Sequence, residues 1–147
     1  MARDGQGGGT LHTLRIEDLT RDGQGLGRLD GQVVLVDGAL PGDQVDVRLT
    51  HQGRRHAVAR LVRLREPSPD RRRPPCILAD HCGGCSLQAL DDRAQERWKQ
   101  QMVDAALQRL GGVQVPARPL IPAPEPLGYR NRAVIPLERD EIGRAHV

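Results

Sequence analysis

Between Leu11 and Leu64 the sequence never sustains a helical repeat, and it breaks instead into short apolar runs separated by glycine and proline. Leu14-Arg15-Ile16-Glu17-Asp18-Leu19 alternates loosely, and Asp22-Gly23-Gln24-Gly25-Leu26-Gly27 reads as a turn-rich loop. Val33-Val34-Leu35-Val36 is a short apolar strand closed by Asp37-Gly38. The turn Pro41-Gly42-Asp43 leads into the clean alternation Val45-Asp46-Val47-Arg48-Leu49. After the polar turn His51–Arg55 comes a last run from Ala57 to Leu64. Five short strands in about fifty-five residues, without a helix among them, predict a small closed barrel. Closure leaves no unpaired sheet edge exposed.

Beyond the barrel the pattern changes. Glu66–Pro75 carries four prolines in ten positions, which exclude helix and mark a linker. A helix is expected from about Asp92 to Leu110, capped by Asp92 with Gln95 completing a capping box. Trp98, Met102, Val103, Ala106, Leu107 and Leu110 form its apolar stripe, and Trp98 and Met102 read as core rather than as a platform for bases. Arg109 suits the C-terminal dipole, and Gly111-Gly112 ends the helix. A second proline-rich connector, Val115–Pro126, precedes Gly128–Pro136, which reads as the first strand of something larger. With one Trp, one Tyr and no Phe, the chain is poorly equipped for a single large core. No stretch resembles a membrane span, and Met1–Thr10 reads as a flexible leader.

All three cysteines fall in one stretch, Cys76, Cys82 and Cys85, with the spacing C-x5-C-x2-C and two glycines in the second interval. An odd count in a chain without a secretory signal argues against a disulfide framework and for metal ligation. Three thiolates leave a four-ligand site one short, so the last ligand is expected beyond Val147. Zinc, with His81 or an outside ligand, is the bland alternative, and a redox-active Cys82/Cys85 pair would leave Cys76 unexplained.

Charge is unevenly placed. Residues 1–47 carry four arginines against eight acids, whereas residues 48–75 carry nine arginines against Glu66 and Asp70. A block this basic suits a phosphate backbone, though it would also serve as the solvent face of a strand. Its candidate contacts are Arg54, Arg55, Arg71, Arg72 and Arg73.

Four motifs stand in order: Gly23-Gln24-Gly25-Leu26-Gly27 with Gly38–Asp43, then Pro75-Cys76-x5-Cys82-Gly83-Gly84-Cys85-Ser86-Leu87-Gln88, then Gly128-Tyr129-Arg130-Asn131-Arg132-Ala133. Over about residues 10–138 the chain resembles the class I RNA uracil-C5 methyltransferases, specifically the ribosomal-RNA type with a TRAM domain and a [4Fe–4S] cluster. The first cysteine loop departs from that family's usual Cys-Pro-His-aromatic-Gly and loses its aromatic.

The resemblance implies an OB-like TRAM barrel that binds RNA, followed by the cluster segment and a Rossmann-like domain for S-adenosylmethionine. In such enzymes a cysteine attacks C6 of the uracil, C5 takes the methyl group, and a base removes the C5 proton. The target base leaves its stack to be reached. Here the resemblance implies a leader at 1–10, TRAM at 11–66, a linker at 67–75, cluster loop and helix at 76–112, and the start of a mixed α/β domain at 113–141. Cys76, Cys82 and Cys85 would ligate the [4Fe–4S] cluster, while Tyr129, Arg130 and Arg132 would contact RNA or simply cover a sheet. No catalytic residue falls within these residues, and the fourth cluster cysteine, nucleophile and base are expected downstream. The tail Ile142–Val147, after Glu141, coincides with the translated start of a widely used sequencing adapter and is set aside as non-native.

The expected function is the RNA-recognising, cluster-bearing part of a cytoplasmic, monomeric 23S rRNA (uracil-C5)-methyltransferase. The competing class is a stand-alone RNA-binding module with a zinc or cluster knuckle and no enzymology.

Overall fold

The computed structural model describes residues 10–79, 84–129 and 131–132, and the backbone of 138–139 and 145–146. Five strands, β1 (Leu11–Leu19), β2 (Gly25–Leu29), β3 (Gln32–Val36), β4 (Gln44–Gln52) and β5 (His56–Glu66), close into a barrel in the order β1-β2-β3-β5-β4. All pairings are antiparallel except β3 with β5, which run parallel. Mainly-β with an OB-like barrel and one helix, the architecture is the one the sequence reading anticipates.

Strand β2 corrects the reading of Asp22–Gly27 as a loop throughout, since Gly25 and Gly27 lie within the sheet. A Cβ on Gly25 would sit 2.7 Å from the Ala39 carbonyl oxygen, and one on Gly27 would sit 2.9 Å from that of Arg15. Glycine here permits close backbone approach to the neighbouring strand and to the loop after β3, a requirement that composition alone registers as a turn. The β2–β3 hairpin turns on Asp30 and Gly31 with φ of 49° and 83°, the left-handed pair that suits a two-residue hairpin.

The alternating side chains Leu14, Ile16, Val34, Val36, Ala39, Val45, Val47, Ala57 and Ala59 fill the barrel. Each fully buried valine among them contributes about 1.5–3 kcal/mol by leaving water. Register shifts in β1 and in the β4–β5 ladder supply the extra twist a small barrel needs to close.

A second, smaller core holds the rest against the barrel. Leu19 and Leu40 from the barrel meet Leu90 and Ala94, with Leu87, Ala89 and Trp98 packed beside them. Ala94 and Trp98 belong to α1 (Asp92–Arg109), so the helix docks by its N-terminal half. The expected stripe does not continue inward: Val103 is half exposed and Leu110 is 89% exposed.

The cap also differs. Asp91, one residue earlier than expected, is the N-cap and accepts from the Arg93 N–H. Gln95 donates instead to the carbonyls of Leu87 and Leu90. Asp92 is engaged elsewhere. After the helix, Gly112 takes a φ of 64°. Two short strands, β6 (Glu138–Arg139) and β7 (Ala145–His146), pair with one another, so part of the tail set aside above has a regular backbone.

Candidate nucleic-acid interface

The proline-rich linker is pinned at both ends. Asp43, fully buried, accepts from the Leu40 and Ser68 N–H groups at 2.8 Å each. The Arg71 guanidinium completes its shell, with Nε at 3.1 Å and a terminal nitrogen at 2.5 Å, and reaches the Gly38 carbonyl at 2.8 Å. Arg72 grips Asp92 with two 2.7 Å bonds and donates to the Gln88 carbonyl. Arg97 pairs with Asp70 at 2.8 Å. Arg71 and Arg72, two of the arginines expected to face RNA, thus tie linker, barrel and helix together. The partner carboxylates lie 28 and 20 residues away, where no local pattern points to them.

Asp46 takes a further arginine out of the basic block. Its carboxyl, covered in the barrel wall, accepts from Arg65 Nε at 2.6 Å and from the Thr13 hydroxyl at 2.8 Å. The hydrogen bond from Arg65, then that from Thr13, hold its pKa below the usual carboxylate value, and the same bond to Asp46 raises that of Arg65.

What remains is concentrated on one hairpin. Arg54 and Arg55 are exposed in the β4–β5 turn, and Arg73 is exposed within the linker. Arg48, Arg60 and Arg63 lie on β4 and β5. Among the described residues none of these six arginines forms a salt bridge, although Arg63 stands opposite Asp46 and its charge helps hold that carboxyl's pKa down. Tyr129 is 75% exposed and Arg132 is exposed, while Arg130 lies outside the described residues.

The cysteine loop leaves and returns through one gate. Arg71 bridges to Leu90, the Arg72 N–H donates to the Ala89 carbonyl at 2.8 Å, and the Asp91 N–H donates to Asp70 at 2.8 Å. Cys76 and Cys85 are free, exposed thiols on the two arms, and Cys82, with His81, lies outside the described residues. Cys85 lines a cavity of about 230 Å³ with Leu87, Gln88, Gln95, Leu127 and Tyr129. The Gln88 Oε1 buried there has no hydrogen-bond partner among the described residues. Soft sulfur donors on a loop closed at its base fit a thiolate-ligated centre, and that donor set does not separate a cluster from zinc.

The TRAM domain model matches residues 9–62, the span of the barrel. A protein of Parasynechococcus marenigrum named an uncharacterized RNA methyltransferase is 47% identical over 135 residues, covering 89% of this chain and 29% of that protein. The chain belongs to the RNA methyltransferase family that its motifs resemble. Similarly named proteins of Synechocystis and Halalkalibacterium halodurans are 44% and 39% identical, over 92% and 88% of the TRAM-bearing chain. The chain spans about 30% of the length of these curated relatives. Among solved structures, a conserved protein of Methanococcus maripaludis is 34% identical, covering 37% of this chain and 79% of that one, with a TM-score of 0.36. Among the described residues no helix is long and apolar enough to cross a membrane.

Proposed function

We propose that this chain is the RNA-recognising, cluster-bearing part of an S-adenosylmethionine-dependent RNA (uracil-C5)-methyltransferase whose target is ribosomal RNA, in the cytoplasm. The observation that carries the reading is the basic hairpin: five arginines on β4, β5 and their turn in a TRAM barrel, none in a salt bridge among the described residues. Arginines already neutralised by Asp43, Asp46 and Asp92 hold the fold and add little to a phosphate track. Those left over supply the sequence-independent attraction that dominates affinity for nucleic acid.

Cys76, Cys82 and Cys85 would hold a [4Fe–4S] cluster, which when bound cross-links the loop and fixes its shape. The gate at Arg71, Arg72 and Asp91 holds the loop's two arms together, and it would set that loop at a fixed position beside the helix. Methyl transfer belongs, on this reading, to the part of the relatives that the chain does not match.

The test is retention of structured RNA by the 147-residue chain, with transfer RNA as competitor and labelled S-adenosylmethionine present. Ribosomal RNA should be retained in preference and should stay unlabelled. No retention, or methyl incorporation above a no-protein control, would overturn the reading.

A further inference from the structure

The β4–β5 ladder sets Arg48 directly opposite Arg60. Their chain neighbours Val47, Leu49, Ala59 and Leu61 pack in or against the core, so by strand alternation both guanidinium stems leave the outer wall of the barrel. Like charges placed directly across a ladder oppose pairing of the strands. In the adjacent row the comparable conflict is resolved, because Arg63 stands opposite Asp46. In the Arg48–Arg60 row it is not, since β1 contributes only Leu11 opposite Arg48. Arg48 Nε is moreover buried and has no hydrogen-bond partner among the described residues, an expense that native proteins rarely leave standing.

We propose that Arg48 and Arg60 form a two-arginine clamp for one phosphate group of the RNA backbone. This rests on the RNA-binding reading above and assigns it to a particular face. One phosphate between the two guanidinium groups would remove the repulsion and give the orphaned N–H an acceptor, in the charge-assisted geometry arginine favours. The clamp lies roughly 15 Å along the hairpin from the tip that carries Arg54 and Arg55, at about 3.3 Å per residue. The arginines at the tip would then hold a second point on the same strand of RNA. The outer face of β2 and β3 offers no such site: Arg28, the one arginine on those strands, is already paired with Glu17.

Charge reversal at one member separates binding from folding. In R60E the new carboxylate faces Arg48 and turns the repulsive pair into an attractive one. Its Tm should therefore equal or exceed that of the unaltered chain, while affinity for a structured RNA falls about tenfold, corresponding to roughly two phosphate contacts. The neutral variant R60Q should reduce the slope of log K against log salt by about 0.7–0.9, the loss of one contact. R28Q, on the other face, should change neither. An R60E chain that binds RNA as tightly as the unaltered one, an R60E chain that loses thermal stability, or an R60Q slope unchanged would each overturn the clamp. If the unaltered chain binds no RNA, the broader reading fails and the clamp with it; if it binds and R60E binds equally, only the clamp fails.

Discussion

Asp43 has no route to water, so its charge is tolerable only because four donors converge on it. Replacing Arg71 by Ala leaves two backbone N–H bonds and a buried, uncompensated carboxylate. Breaking such a pair from one side costs about 3–5 kcal/mol. R71A should accordingly unfold at much lower denaturant than the unaltered chain. R73A, two residues on and exposed, should stay within about 0.5 kcal/mol of it while weakening RNA binding. Equal stability of the two variants, read from equilibrium denaturation, would contradict the division of the linker arginines into a structural pair and a free one. In the sequence, Arg71, Arg72 and Arg73 are indistinguishable. Their roles separate only when the fold brings Asp43 and Asp92 to two of them.

At the scale of elements, the barrel strands were legible wherever side chains alternate, as in Val45–Leu49, because a pleated strand turns every second side chain to the core. Strand β2 was not, because its buried positions are glycines chosen for what they leave out. The helix was legible in extent, but its inner face stops near Trp98 although the apolar pattern continues to Leu110. Periodicity reports which side chains share a face; it does not report how far the opposing surface extends. The cysteine loop carries its own test. Anaerobic reconstitution with iron and sulfide should give the broad visible absorption of iron–thiolate charge transfer, and replacing Cys82 or Cys85 by Ser should abolish it. A colourless protein that binds one zinc through all three cysteines would contradict the cluster. The reading of the loop rested on spacing and resemblance, since two exposed thiols and a closed base are compatible with either metal.

For the whole molecule, the sequence shows a basic block of nine arginines, and the fold decides how many of them a ligand meets. Arg65, Arg71 and Arg72 are neutralised internally, which leaves Arg48, Arg54, Arg55, Arg60, Arg63 and Arg73. Most of these are on the β4–β5 hairpin, which joins the barrel between β3 and β1. Such a distribution predicts attraction to a polyanion that is strong at low salt and weak at high salt, because each contact releases condensed counterions. The affinity of the 147-residue chain for structured ribosomal RNA, measured by fluorescence anisotropy between about 0.05 and 0.2 M salt, tests this most directly. The account predicts a slope of log K against log salt of about −4 to −5 if all six arginines engage, and a slope shallower than about −1 would contradict it.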